Sequence, residues 1–267
     1  MDFDAMNSRS NQREKCEKIP TGTKEWADHN VNCIKGCFNN CRYCYALLMA
    51  KRFGRATNNT WKNMIIRDDV VNKQFRKFSG RVMFPSSHDI FDLPDYEQAC
   101  FSVLENLLKS GNDILVTSKP RLAIIKKIVK DFSDYEQQIQ FRFTITSSDD
   151  QLLKFWEPNA PRFQERLKSL QYAFKKGYKT SVSIEPFLDF DPKPLVETIS
   201  PFVTESIWLG MMNYIPRNNV RKADASYYDL IRKNYSEEHL KEIYEIFNNS
   251  PKIRWKDSIK TKLKIIS

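Results

Sequence analysis

The sequence predicts an α/β fold, a partial (β/α)6 barrel of the TIM type with added C-terminal helices. Short apolar runs alternate with segments of helical period along most of the 267 residues. The runs are rich in β-branched and aromatic residues and show little strict alternation, which is typical of parallel strands buried on both faces. Repeated strand–helix–strand order indicates βαβ units. Six units are too few for a closed eight-stranded barrel, so an open barrel is expected.

Five apolar runs are predicted as strands: RVMF (81–84), DILVT (113–117), FRFTI (141–145), TSVSI (180–184) and SIWLG (206–210). A sixth strand is expected within residues 25–32. We expect three regions: a polar leader (1–22), the barrel core (23–212) and a helical extension (213–267). The basic stretch 252–264 is interpreted mainly as a solvated end with one residue packed on the domain, and phosphate binding with a stacking aromatic is the alternative.

Segments with the periodicity of a helix separate the predicted strands. In residues 95–111, Cys100, Val103 and Leu107 fall on one apolar face, and Gly111 stands at the C-terminal end. Pro120 can open a helix, because a first-turn proline lacks only a hydrogen bond that the helix does not need. In residues 160–177, Arg166 lies opposite the apolar face, which predicts a surface position.

The composition limits the classes of partner. Lys and Arg number 43 against 33 Asp and Glu, a net charge of +10. This excess favours an anionic partner such as nucleic acid, although it could serve solubility alone. No apolar run approaches the ~18 residues of a membrane helix, and the polar N-terminus does not resemble a secretory signal. We therefore expect a cytoplasmic protein without membrane association, with reduced thiols.

Four cysteines, at positions 33, 37, 41 and 44, are clustered. Cys37, Cys41 and Cys44 form a C-x3-C-x2-C run, in which three soft sulfur ligands can hold one corner of an iron–sulfur cluster and leave a metal position open. One alternative is a non-catalytic zinc module on all four cysteines that binds nucleic acid. Its spacing is unusual, because zinc knuckles are normally separated by a dozen or more residues. The other alternative is an electron-transfer protein.

The segment NCIKGCFNNCRYCYA (32–46) resembles the cluster-binding loop of the radical S-adenosylmethionine superfamily, with Tyr43 at the aromatic position before the last cysteine. It is most similar to the branch of spore photoproduct lyase and DNA repair photolyase-like proteins. The resemblance implies a [4Fe–4S] cluster on the three cysteines that reductively cleaves S-adenosylmethionine. The resulting 5′-deoxyadenosyl radical would take a hydrogen atom from the substrate. The branch resemblance and the positive charge favour a nucleic acid base or nucleotide, with a peptide or a small metabolite as the open alternatives. It also implies a reductant such as flavodoxin or ferredoxin.

Polar residues at predicted strand ends are expected to line the cofactor site, since barrel enzymes bind ligands there. By resemblance, Ser86 and Ser87 would contact the methionyl amino group and Lys119 the carboxylate. Thr144 and Thr146 would contact the ribose, and Tyr43 would pack near the adenine. Each has an ordinary alternative as a turn, loop or strand residue.

One departure from the resemblance concerns the reaction. Spore photoproduct lyase needs a cysteine near the end of its second strand as a hydrogen-atom donor, and residues 83–89 contain none. A serine O–H bond is too strong to replace it. Photoproduct lyase activity itself is therefore not expected.

Overall fold

The computed structural model describes residues 20–216, 218 and 220–265. Most of the predicted leader, residues 1–19, lies outside the described residues. The strands are β1 (His29–Asn30), β2 (Ile34–Lys35), β3 (Ile65–Ile66), β4 (Val82–Phe84), β5 (Ile114–Ser118), β6 (Ile139–Thr144), β7 (Lys179–Ile184), β8 (Ile207–Leu209) and β9 (Ile253–Trp255). The α-helices are α1 (Tyr45–Arg52), α2 (Asp68–Val71), α3 (Pro94–Lys109), α4 (Leu122–Asp131), α5 (Asp150–Trp156), α6 (Phe163–Lys175), α7 (Lys193–Ile199), α8 (Ala225–Asn234), α9 (Glu237–Phe247) and α10 (Asp257–Leu263). Short 3-10 helices cover Gly22–Glu25, Ser133–Gln138, Ser200–Phe202 and Lys222–Asp224.

A seven-stranded sheet forms the centre of the fold, in the order β1-β4-β5-β6-β7-β8-β9. Every neighbouring pair is parallel. A parallel neighbour requires a crossover connection, and helices supply it between most strands. The predicted α/β partial barrel is thereby confirmed.

The two edges of the sheet come together in space. Residues 22–25 lie three residues before edge strand β1, and Lys256 directly follows the opposite edge strand β9. The Lys256 ammonium forms an ion pair with Glu25 and donates to the Gly22 carbonyl at 2.6 Å. The Gly22 amide in turn donates to Asp257 at 2.9 Å. The sheet is therefore curved, and its open side is bridged by side chains instead of an eighth strand.

Strand β9 lies in the stretch predicted to be a solvated end, and that prediction is wrong. Ile253 is in register with Ile207, and Trp255 with Leu209. Lys256 is 1% exposed. A three-residue strand between charged residues has no measurable period, so the sequence pattern does not reveal it. The boundary at 212/213 stays a prediction, although residues beyond it complete the sheet.

The main core lies between the sheet and the helices. The predicted face of α3 is confirmed, because Cys100, Val103 and Leu107 are fully buried there. Pro94 opens this helix, with Asp95 in its first turn, where a negative charge stabilises the helix dipole.

The prediction for Arg166 is wrong. Its side chain is 0% exposed, whereas Phe174 of the same helix, an apolar residue, is 38% exposed. A buried carboxylate on the preceding loop accounts for this reversal, as described below.

The C-terminal helices pack against the loop that follows β7. Asn234 at the end of α8 donates to the Leu188 carbonyl at 3.0 Å, and the Tyr235 hydroxyl donates to the Phe187 carbonyl at 2.9 Å. Leu240, Ile243 and Phe247 of α9 are buried. Across the described ranges, no helix combines the length and the apolar character that crossing a bilayer would require.

Candidate functional site

A cavity of about 220 Å³ lies at the carboxyl ends of the parallel strands. It is lined by all three motif cysteines and by five of the other predicted site residues: Tyr43, Ser86, Ser87, Lys119 and Thr144. Thr146 is not among the lining residues. Glu185 and Asn213, which also follow strands, do line the cavity. The structure therefore gathers residues that lie far apart in the chain at one mouth of the barrel.

The loop that presents the cysteines depends on close backbone packing. Gly36 has φ +91°, and a Cβ there would lie 2.4 Å from the Trp61 carbonyl oxygen, so only glycine fits. The same oxygen accepts a hydrogen bond from the Cys37 amide at 2.9 Å. At the other end of the loop, the Cys44 sulfur caps α1 by accepting from the Leu47 amide at 3.4 Å.

Asp89 ties the cysteine loop to the end of β5. Its carboxylate accepts from the Asn39 side chain at 2.6 Å, from the Ser118 hydroxyl at 2.5 Å and from the Lys119 amide at 3.2 Å. Arg121 reinforces this link by donating to the Asn39 side-chain oxygen at 2.8 Å. Because Asn39 lies between Cys37 and Cys41, Asp89 holds the middle of the motif. The sequence pattern does not reveal this role of Asp89.

Asn32 shapes the loop after β4, and sequence reasoning missed it. Its side-chain oxygen accepts from the amides of Ser86 and Ser87 at 2.7 and 2.8 Å, and its amide donates to the Ser86 hydroxyl at 2.8 Å. The Ser86 carbonyl accepts from the Tyr45 hydroxyl. The two serines are thus held in a defined loop beside the cysteines. An asparagine two residues after β1 carries no pattern that could have identified this role.

A buried acid, Glu157, lies beside the motif tyrosine. Its carboxylate accepts from the Tyr43 hydroxyl, from Thr146 at 2.6 Å and from the Arg166 guanidinium. Burial by itself would raise the pKa of Glu157, but the charges of Arg166 and Lys119 hold it at about 2. The hydroxyls of Tyr43 and Thr146 are therefore engaged with Glu157, and their assignments to adenine and ribose stay predictions.

Lys119 is a cation whose charge acts on all three motif thiols. Burial raises the pKa of Cys37 to about 12 and also raises the pKa values of Cys41 and Cys44. Burial alone would lower the pKa of Lys119, but its electrostatic interactions with Cys41 and with the Glu157 carboxylate raise it, so Lys119 is a cation. Thiolates in this pocket require further positive charge, which bound iron would supply.

The donor set fits an iron–sulfur cluster. Three soft sulfur ligands line one cavity, whereas no three His, Cys, Asp or Glu side chains in the described ranges converge on a single metal ion. A cluster takes each thiolate on a different iron, so its ligands are spread more widely than those of one zinc ion.

Cys33 is separate from this set. It is fully buried and does not line the cavity. Its sulfur lies 3.8 Å from the Cys100 sulfur and 3.9 Å from His88 Nε2. The zinc alternative needs Cys33 as a fourth ligand, so this position disfavours it.

A partial βα barrel with three thiols at the carboxyl ends of its strands defines a protein built to hold an iron–sulfur cofactor. The profile of the Radical SAM superfamily matches residues 31–200. This match covers more than half of the chain, and the protein belongs to that superfamily. Membership implies S-adenosylmethionine and an iron–sulfur cluster as cofactors.

The individual proteins that this chain resembles share little sequence identity with it. An uncharacterized protein of Acidianus two-tailed virus is 26% identical over 185 residues, which span 65% of this chain and 59% of the viral protein. An uncharacterized protein of Methanocaldococcus jannaschii is 23% identical over 234 residues, covering 84% of this chain and 80% of that protein. Spore photoproduct lyase complexed with dinucleoside spore photoproduct matches with a TM-score of 0.54 and 13% identity, over 91% of this chain and 79% of the lyase. This last likeness shows a shared fold.

Proposed function

We propose that the protein is a radical S-adenosylmethionine enzyme that holds a [4Fe–4S] cluster on Cys37, Cys41 and Cys44 and acts on a nucleic acid base or nucleotide. The observation that carries the proposal is that these three thiols line one cavity while Cys33 faces Cys100 elsewhere. Three protein ligands leave one iron of such a cluster open for the cofactor. When bound, the cluster supplies the electron that splits S-adenosylmethionine into methionine and a 5′-deoxyadenosyl radical.

Residues around the cavity bind and orient the cofactor in this proposal. Lys119 pairs with the methionyl carboxylate, which its buried positive charge supports. Ser86 and Ser87 receive the amino group, in a loop that Asn32 has already ordered. Thr144, which also lines the cavity, contacts the ribose. The surrounding barrel excludes water from the reacting atoms.

The substrate class is supported by two observations. The chain has a net charge of +10, which suits an anionic partner. Its fold is similar to that of spore photoproduct lyase, which was solved with a dinucleoside spore photoproduct. The reaction differs from that of the lyase in our proposal, because no cysteine besides the three motif residues lines the cavity within the described part of the chain.

A reductant docks near the cysteines in this proposal. Helix α1 follows Cys44 directly and exposes Leu48 and Met49, and Phe53 at its end is 57% exposed. Lys51 and Arg52 lie in the same turn. Exposed apolar side chains among basic ones suit a small acidic electron carrier such as flavodoxin or ferredoxin.

Anaerobic reconstitution with iron and sulfide tests the proposal. We expect about four irons and four sulfides per chain, with 5′-deoxyadenosine formed when S-adenosylmethionine and dithionite are added. Cys41→Ala should abolish both the cluster and cleavage. Cys33→Ala is the matched control, because it removes a buried cysteine of the same clustered segment that lies outside the cavity.

The alternatives predict different results. A colourless protein with one zinc that is lost in Cys33→Ala would support the zinc module and overturn the proposal. A cluster that reduces reversibly but forms no 5′-deoxyadenosine would support an electron-transfer protein. Deuterium transfer from labelled nucleotides or oligonucleotides into 5′-deoxyadenosine would identify the substrate class.

A further inference from the structure

The wall of the cavity formed by β6 contains a buried arginine without a partner anion. Arg142 lies in β6, lines the cavity and is 4% exposed. Its Nε donates to the Ser181 hydroxyl at 3.0 Å, but its Nη1 makes no hydrogen bond. Within the described ranges, no carboxylate lies within 4.0 Å of this guanidinium.

Two indole rings surround the Arg142 guanidinium. Its central carbon lies 4.8 Å from the ring centroid of Trp26 and 5.4 Å from that of Trp208. Such cation–π contacts stabilise a cation by less than its complete burial destabilises it. The aromatic neighbours alone therefore do not explain why a charge is kept at this position.

The neighbouring cation, Lys256, has a direct anionic partner. Lys256 also lies over Trp26, at 4.4 Å, but it forms an ion pair with Glu25 and donates to the Gly22 carbonyl. Glu185 lies 4.0 Å from Lys256, and burial raises its pKa to about 7, so it provides only part of a negative charge. Lys256 is thus directly paired, whereas Arg142 interacts with Glu185 and Glu205 only at longer range and has no direct ion pair among the described residues.

A second unpartnered donor lies on the same wall. The Trp26 indole N–H is buried without a hydrogen-bond partner, and Trp26 lines the cavity next to Arg142. Buried donors in native proteins are normally satisfied, so two unpartnered donors on one wall indicate that an acceptor is missing there. A planar guanidinium matches the oxygens of a carboxylate or phosphate better than any neutral group.

We infer that Arg142, with Trp26 beside it, forms a substrate subsite that binds a phosphate or carboxylate oxyanion. The inference rests on the proposed function and adds that the substrate carries such a group. Lys119 is a separate cation, surrounded by Cys41 and Glu157, and is assigned to the cofactor. The cavity therefore has one cationic position for the cofactor and another for the substrate.

Binding of three matched probes tests this inference in the reconstituted enzyme saturated with S-adenosylmethionine. Phenyl phosphate and benzoate carry the two oxyanions, and benzamide is the neutral equivalent. By isothermal titration we expect one of the anions to bind at least about tenfold more tightly than benzamide, and the preference to disappear in Arg142→Met, as loss of a charge-assisted hydrogen bond predicts. Whichever of the two anions binds more tightly shows whether the subsite takes a phosphate or a carboxylate. Arg76→Met removes an exposed arginine and should bind like the wild type.

Thermal unfolding without added anion separates binding from a structural role. Arg142→Met should melt no lower than the wild type, because it replaces an unpaired buried charge with a side chain of similar length. Equal affinity of both proteins for the anions, or a loss of stability as large as that of Arg166→Met, would overturn the inference. Cleavage of S-adenosylmethionine by the same wild-type preparation tests the proposed function separately. Anion binding that depends on Arg142 in a protein without cleavage would uphold this inference and contradict the proposed function.

Discussion

Replacing Arg166 by methionine tests the buried pair beside the cysteine loop. Glu157 and Arg166 both have side chains that are 0% exposed, and they form a direct ion pair. Arg166 also donates to the carbonyls of Pro161 and Thr144, at 2.8 and 3.2 Å. Removing the guanidinium leaves the Glu157 carboxylate buried with only Lys119 as a nearby cation.

The expected destabilisation follows from the pKa of Glu157. The lowering of this pKa from 4.5 to about 2, against burial that would raise it, shows that nearby positive charge, Arg166 first, stabilises the carboxylate. Breaking a buried ion pair by removing one partner costs about 3–5 kcal/mol. For a domain of this size, 1 kcal/mol lowers the melting temperature by roughly 2–4 °C. We therefore expect Arg166→Met to melt at least about 6 °C lower than the wild type.

The loss of stability in Arg166→Met should also depend on pH. In the wild type, the lowered pKa of Glu157 adds stability above pH 4.5 that is lost as the pH falls through about 2. Without Arg166, burial raises this pKa, so the ionised acid is disfavoured and the deficit grows from mildly acidic to neutral pH. Adding Glu157→Gln should recover part of the loss, because it removes the unpaired charge.

Differential scanning fluorimetry at pH 5 and pH 8 measures both effects. Lys168→Met is the matched control, since it removes an exposed cation from the same helix. Iron content after reconstitution should fall in Arg166→Met, because Glu157 also holds Tyr43 of the cysteine motif. A shift below about 2 °C at pH 8, or equal shifts at both pH values, would refute the reasoning.

Three further predictions concern other buried charges. Asp89→Asn removes the charge that holds the cysteine loop, so the iron that the reconstituted protein retains after desalting should fall. The control Asp92→Asn, at an exposed position, should retain as much iron as the wild type. Equal iron retention in Asp89→Asn and the wild type would contradict this role. Burial raises the pKa of Glu185 from 4.5 to about 7, so the stability of the wild type should decline as the pH rises from about 4.5 to about 7. In urea titrations, Glu185→Gln should make stability less dependent on pH and raise it at pH 8 by about 1–3 kcal/mol. Lys256→Met breaks the bridge between the sheet edges and should cost about 3–5 kcal/mol, against little change in exposed Lys262→Met; equal urea midpoints would contradict it.

Much of the fold could be predicted because its signals are periodic. The α3 face with Cys100 and Leu107 repeats at helical spacing, and the strands from β4 to β8 are short runs rich in β-branched and aromatic residues. Strand β9 was missed, since it has three residues and carries Arg254 in the middle. Arg166 was misplaced because hydrophobic patterning treats every arginine as a surface residue, whereas this one is matched to a buried acid.

The sequence by itself determined the candidate metal-ligand motif, because three cysteines within eight residues are close enough in the chain to hold one cofactor. It also determined the order of strands and helices, since burial of one face imposes a period. Only the tertiary structure decided which polar groups meet. Asp89 with Asn39, Glu157 with Arg166, and Arg142 between two indoles are contacts that fold topology creates, and no local pattern marks them. Such pairs satisfy charges and hydrogen bonds inside the protein, so their energies depend on a desolvated environment that exists only after folding.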